Sequence, residues 1–283
     1  MALKVGLQLY SVRQNMAKDP IATVKKVSEI GYTYLETANL RTPNDYGTGF
    51  GVAAGELKKI IDDFGSRILS AHIFPLDLDN IDKVLDYFAV LQTEQIYSKP
   101  PYGSVEEIKK QAELHTKLGE KCRNRGLQYD IHSGVTPYCE DGTFSLDRFA
   151  EFTSPDDVLF ELDTYWITRS GVDPIELIKR YKDRIKIVHQ KDIPKDFKGI
   201  MNLNEHLPRG GQTVKDFYSA HIFPEEFCEI GTGIMDLQKI IDTTLEYTKA
   251  THIFLEQDYT KMDEFESVQL SMDNFKKYKG LEF

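Results

Sequence analysis

The chain has 283 residues, 41% of them hydrophobic and 28% charged, with a net charge of −10. That acidic balance leaves no basic excess to neutralise phosphate, which argues against nucleic acid or an anionic membrane as the main partner. No stretch approaches the roughly 18 apolar residues of a membrane span.

The first residues, MALKVGLQLY, carry neither the apolar run nor the small-residue cleavage site of a signal peptide. The three cysteines, Cys122, Cys139 and Cys228, are far apart and show no CxxC spacing. A reduced, cytoplasmic protein is the expectation.

In chain order, residues 4–10 read as a strand. Asp19 as N-cap and Pro20 at the first helical position open a helix to Ile30, and Gly31 ends it. A strand at 32–38, a helix at 55–64 closed by Gly65, and a strand at 68–73 follow. The helix at 79–91 places Ile81, Val84, Leu85 and Phe88 on one face of a 3.6-residue period. After a short strand at 95–98, Ser104 and Glu107 form a capping box for a helix to 124. A strand at 127–132 and a short helix at 146–152 come next. A strand at 158–164 precedes a helix opened by Asp173-Pro174, which runs to 181, and another strand covers 185–190. A polar segment without periodicity, about 193–228, exceeds the usual loop length and reads as an insertion: a lid, an oligomer contact or partly helical. A helix at 236–247, a strand at 253–257 and a helix at 264–278 close the chain. Eight β-then-α units with no linker predict a single (β/α)8 TIM barrel over residues 1–283, with an open doubly wound sheet as the alternative.

Chemistry in such a barrel collects where strands end and βα loops begin. The expected strand ends carry Glu36, His72, His132, Asp163, His189 and Glu256, three carboxylates and three imidazoles aimed at one rim. Like charges that close do not all stay ionised unless a cation joins them or their pKa values split. Asp, His and Glu together suit Mn, Mg, Co or Zn. Asp163, His189 and Glu256 are therefore the expected metal ligands. Tyr165 and Trp166, just beyond Asp163, are expected to form a wall for substrate with Glu36 and His72. Lys191 shares a face with His189; it is read either as a catalytic acid or anchor, or as a salt-bridge partner of Asp192 or Asp163. Asp258 shares a face with Glu256. Glu161, two residues deeper than Asp163, reads as a paired structural carboxylate. His115, His206, His221 and His252 read as surface or core histidines. Arg13, and the insertion with its Arg209-Gly-Gly211, read as binders of an anionic or polyhydroxylated substrate end.

The motifs GLQLYSVRQNMAKDP at 6–20, SEIGYTYLETAN at 28–39, ELDTYWITRSGVDP at 161–174, IVHQKD at 187–192, EIGTGIMD at 229–236 and FLEQD at 254–258 run in order from first strand to last helix. In them the chain resembles the sugar phosphate isomerase/epimerase family, the xylose isomerase-like TIM barrels that include inosose dehydratase and ketohexose 3-epimerases. The resemblance implies one divalent cation held by Glu on strand five, Asp on strand six, His on strand seven and Glu on strand eight. Asp163, His189 and Glu256 match the last three. On strand five the run is Asp130-Ile-His132-Ser-Gly-Val135, so His132 matches a family histidine and Val135 stands where the family has glutamate. Three protein ligands plus water, help from His132 or Glu140, or a decayed site are the alternatives.

The chemistry such a site supports is proton abstraction next to a carbonyl, the cation polarising the carbonyl and stabilising an enediolate. Glu256 is expected as ligand and base, with His132, Lys191 or Glu36 as its partner. The expectation is an isomerase or epimerase acting on a small-molecule sugar or cyclitol, with no nucleic acid or membrane partner and a homo-oligomer left open. A dehydratase or lyase on a keto-sugar or inosose is the alternative, as is a non-catalytic sugar-binding barrel with a degenerate metal site. A DNA-repair endonuclease of the same fold is discounted on charge and on missing zinc ligands.

Overall fold

In the computed structural model, which describes residues 2–38, 50–207 and 222–283, the strands are β1 (Leu3–Gln8), β2 (Tyr34–Ala38), β3 (Arg67–His72), β4 (Gln95–Ser98), β5 (Gln128–Ser133), β6 (Leu159–Asp163), β7 (Ile185–Gln190) and β8 (His252–Leu255). All are parallel, each pairs with the next, and β1 pairs with both β2 and β8. The sheet therefore closes into a barrel, and the open-sheet alternative falls. A two-residue strand, β9 (Leu281–Glu282), adds to the start of β1.

The helices lie where their caps put them. After a 3-10 turn at Leu9–Val12 and a single turn α1 (Arg13–Met16), the Asp19 carboxylate accepts from Ala22 N–H at 2.9 Å and starts α2 (Pro20–Ile30). Gly31 ends it at φ 117°, a left-handed conformation that side chains resist. The series continues with α3 (Ala54–Asp63), α4 (Ile81–Leu91), α5 (Val105–Asn124) and α6 (Ser145–Phe152). The Ser104–Glu107 capping box is made in both directions. Next come α7 (Thr164–Arg169), α8 (Pro174–Arg180), α9 (Leu237–Tyr247) and α10 (Glu264–Phe275). Their apolar stripes pack on the outward residues of the strands in one continuous core that includes Val5, Leu35, Ile96, Ile131 and Leu162.

Inside the barrel a plug of Leu69, Tyr97, Ile187 and Phe254 fills the middle, with Tyr34 against it. Gly6 on β1 makes room for this plug: a Cβ there would lie 2.5 Å from the Phe254 ring. The polar groups collect above the plug, at the C-terminal ends of the strands.

Three expectations change. Strand β1 stops at Gln8, because the Gln8 side chain accepts from Tyr10 N–H at 3.1 Å and turns the backbone into the 3-10 turn. Residues 164–169 form α7, where the sequence suggested only the wall after a strand; the Asp163 carboxylate caps it by accepting from Trp166 N–H at 3.0 Å. In the segment after β7, the described residues on either side of 208–221 form short 3-10 turns at Leu203–Glu205 and Pro224–Glu226, and an antiparallel bridge joins Asp192 to Cys228. Arg209-Gly-Gly211 and His221 lie outside the described residues.

Candidate active site

The strand ends build two storeys of ionisable groups that share one imidazole. In the inner storey, Glu36 Oε1 accepts from Gln8 Nε2 at 2.6 Å, and Oε2 accepts from Ser70 Oγ at 2.5 Å. These partners follow from register, since Gln8 lies beside Glu36 across β1–β2, and Glu36 beside Ser70 across β2–β3. His72 Nε2 sits 3.0 Å from Glu36 Oε1 and 2.7 Å from Glu161 Oε2. His189 Nε2 sits 2.7 Å from Glu36 Oε1 and 2.9 Å from Glu161 Oε1. The two imidazoles stack, with centroids 5.6 Å apart. Two acids thus face two bases in a fully buried ring.

Burial alone would lower the pKa of His72 and His189. The carboxylates of Glu36 and Glu161 outweigh it, raising His72 to about 10 and His189 well above its ordinary value. Conversely, burial would raise Glu36, but the two imidazoles hold it well below the usual carboxylate range. Glu161 is therefore paired, as the sequence suggested. Deeper still, Asp130 is buried with neither oxygen hydrogen-bonded. Burial first, then the charges of Glu161 and Glu36, push its pKa well up.

The outer storey faces the barrel mouth. His189 turns its other nitrogen, Nδ1, to Glu256 Oε2 at 3.1 Å. Asp163 pairs with His189 across β6–β7, so their side chains emerge side by side. His132 Nε2 lies 3.4 Å from Asp163 Oδ2 and 3.8 Å from Glu256 Oε2, and although buried it makes no well-formed hydrogen bond. Lys191 Nζ contacts Asp163 Oδ2 and Glu256 Oε2 directly and lies 3.7 Å from Asp258 Oδ1. Of the two expected salt-bridge partners of Lys191, the structure selects Asp163. Asp192 instead accepts from the backbone N–H groups of Ile193, Gly231, Gly233 and Met235, which explains the EIGTGIMD motif as a loop wrapped around one carboxylate. Burial would raise Asp163 and Glu256, but Lys191 and the neighbouring imidazoles hold both below their ordinary values, so both are ionised. Burial would lower Lys191; Asp163, Asp258 and Glu256 raise it well above the ordinary value, so it is charged.

One donor atom each from His132, Asp163, His189 and Glu256 lies within 4.8 Å of the others, and the same holds for Glu36, His72, Glu161 and His189. The outer set has the composition of a divalent site: two carboxylates and two imidazoles, one with an unused nitrogen. These residues fit a metal. His132 sits with the donor set, and Glu140 lies elsewhere, its carboxylate accepting from Val105 N–H at 3.1 Å.

Trp166 and Tyr165 adjoin this site through Asp163. Lys191 Nζ lies 5.9 Å from the Trp166 ring centroid. Both aromatics belong to an apolar cluster with Val135, Ile193, Leu203, Leu207, Ile222 and Phe227, in which described residues of the segment after β7 pack against them. The Tyr165 hydroxyl accepts from Arg169 at 2.7 Å and donates to Glu226 O at 2.9 Å, and Arg169 also pairs with Glu226 at 3.0 Å. Tyr165 therefore ties α7 to the Pro224–Glu226 turn, while Trp166 is the aromatic next to the charged groups. Arg13 opens α1, its guanidinium over the rings of Tyr10 and Tyr259 and its Nη1 donating to Tyr10 O at 3.0 Å. It lines a cavity of about 130 Å³ with Lys18, Gln257 and Tyr259. His206 is exposed, whereas His115 is buried against the Tyr129 hydroxyl at 2.7 Å and His252 is buried low in the barrel. Sequence reasoning missed Gln8 and Ser70. Both sit at strand ends beside Glu36, and neither is ionisable, so charge gave no signal.

A closed parallel barrel with ionisable residues at its C-terminal mouth defines a (β/α)8 protein with an enzyme-like site. Comparison with known proteins narrows this. No protein-family model matches the chain. Inosose dehydratase of Lacticaseibacillus casei is 27% identical over 180 residues, 62% of this chain and 56% of the relative. The chain thus spans little more than half the length of that curated relative. A sugar phosphate isomerase/epimerase structure from Parabacteroides distasonis superposes with a TM-score of 0.74 at 24% identity, covering 100% of this chain and 96% of that one. The IolI protein, solved with a bound zinc atom, superposes with a TM-score of 0.69 at 15% identity, covering 98% and 97%. The chain therefore has inosose dehydratase homologues and the xylose isomerase-like fold, as the motifs suggested.

Proposed function

We propose that the protein is a divalent-metal-dependent isomerase or epimerase that removes a proton from the carbon next to the carbonyl of a sugar or cyclitol. The observation that carries this reading is the convergence of His132, Asp163, His189 and Glu256 at the barrel mouth. These four would hold the cation, which would supply Lewis acidity to the carbonyl.

The remaining work falls to the chain's own side chains. Glu256 is the base. Lys191 and His189 hold its carboxylate ionised, so it can accept a proton without first losing one, at the oxygen not engaged by the cation. The inner ring fixes the His189 imidazole from below through Glu36 and Glu161, which sets the direction of Nδ1. Trp166 forms the wall on which the apolar face of a pyranose or cyclitol ring packs. Arg13 is placed to meet a polar or anionic substrate end. The loop residues packed on Tyr165 and Trp166, held through Arg169 and Glu226, would keep water from the carbanion.

A second reading has its own support. The curated relative is an inosose dehydratase, and dehydration starts with the same α-proton abstraction, followed by loss of a β-hydroxyl. Val135 favours chemistry on one face: where the family places a second carboxylate, this chain has an apolar residue packed among aromatics. A one-base site suits a suprafacial proton shift or a syn elimination better than a two-base epimerisation.

Incubation with inososes and ketohexoses in deuterium oxide, with Mn, Mg, Co or Zn, tests both readings by NMR. Expected is deuterium next to the carbonyl, and a loss of rate of about 10²–10⁴ in Glu256→Gln. Isomerisation conserves the hydroxyl-bearing carbons; dehydration removes one. No exchange with any metal or sugar class would overturn the proposal.

A further inference from the structure

The outer storey contains a cation of its own. Lys191 Nζ bonds to Asp163 Oδ2 and Glu256 Oε2. Those two carboxylates belong, with His132 and His189, to the candidate metal set, and the same two oxygens lie 3.4 Å from His132 Nε2 and 3.1 Å from His189 Nδ1, respectively. Two positive charges do not share the same two oxygens at contact distance, because their mutual repulsion in a buried site is large. A metal ion entering this set therefore has to move the ammonium. The third carboxylate gives it somewhere to go: Asp258 Oδ1 already lies 3.7 Å from Nζ. Lys191 is fully buried, and among the described residues its ion-pair contacts are these three carboxylates, so the swing is short and stays within the same charged group.

We infer that Lys191 is a resident counter-cation that a divalent ion displaces, the ammonium shifting from Asp163 and Glu256 onto Asp258 as the metal binds. The inference rests on the metal reading given above and adds an exchange step to it. The exchange has two consequences. Without metal, the lysine neutralises the carboxylates and the barrel mouth stays folded. With metal, affinity is reduced by the cost of displacing the lysine, so the protein takes up its ion only where the free ion is plentiful or binds strongly.

The test is calorimetric titration with Mn and with Zn, and thermal melting with and without each ion, on the full-length wild type, Lys191→Met, Asp258→Asn and the double variant. In Lys191→Met the metal Kd is expected to fall at least tenfold. Its metal-free melting temperature is expected to drop by about 5–10 °C, because the carboxylates lose their partner, and to recover when metal is added. A lysine that only repels the ion from a fixed position would also tighten binding when removed, and the double variant separates the two. With exchange, Asp258→Asn weakens metal binding about tenfold in wild type and less than about twofold in the Lys191→Met background. Equal effects of Asp258→Asn in both backgrounds, or an unchanged Kd in Lys191→Met, would overturn the exchange and leave the metal site standing. Absence of metal binding by wild type and Lys191→Met alike would overturn both.

Discussion

Val135 is the residue at which the motif resemblance implied a glutamate ligand. It is buried in the apolar cluster with Tyr165, Trp166 and Phe227. Restoring the carboxylate by Val135→Glu places a charge among aromatic rings, which costs about 2 kcal/mol or more unless the charge finds a partner. The variant is expected to melt lower than wild type without metal, and to regain most of that loss, with tighter Mn binding, once the ion is present. A melting temperature that stays low at saturating Mn would mean that the carboxylate does not reach the donor set. The same residue marks how far the sequence could be read. Asp163, His189 and Glu256 could be placed on one rim because strand ends are visible as alternation followed by charge. The position of Lys191 between two of them could not, because a lysine two residues beyond a histidine has the reach to face several partners, and the choice is made by three strands at once.

At the scale of elements, the barrel is set by what its interior has to hold. Gly6 is the one position on β1 where the Phe254 ring crosses so close that a methyl group would overlap it. Gly6→Ala is therefore expected to destabilise the protein by about 1–3 kcal/mol, as overpacking does, and Phe254→Leu in the same chain is expected to return part of it. Urea unfolding of the three proteins measures this, and additive losses would show that the overlap relaxes elsewhere. The helices were legible because their starts carry Asp-Pro or Ser-x-x-Glu and their stripes repeat every 3.6 residues. Helix α7 was not, since its cap, Asp163, reads equally well as a strand-end acid, and here it does both: one oxygen caps the helix and the other holds Lys191. The segment after β7 has no period to read. Its described part at Glu226 is held by Arg169, 57 residues away in the chain.

For the whole molecule, the buried charges set the pH range of stability. Glu36, Asp163 and Glu256 have native pKa values below their ordinary ones. Their contribution is present in full above about pH 4–4.5, the unfolded range of carboxylates, and is lost as pH falls through the native values. His72 works the other way. Raised to about 10, it contributes fully below about pH 6.5, the unfolded value, and loses that contribution as pH rises toward 10. The metal-free protein is expected to be most stable between these limits, with urea midpoints falling on both sides. In His72→Gln the alkaline fall should shrink while the acid fall remains. An unchanged alkaline limb in that variant would assign the loss to other groups.

Trp166 has an optical consequence. It is the only tryptophan in the chain, and its ring lies 5.9 Å from the Lys191 ammonium and one hydrogen bond from Asp163. Indole emission shifts in colour and intensity with the charge held near the ring, so all the tryptophan light from this protein comes from beside its candidate site. Any cation that replaces or moves the ammonium, and any ring that stacks against the indole, changes that light. The protein thus carries its own binding reporter, readable in the untagged chain at the dilution that a weak ligand or a scarce sample requires.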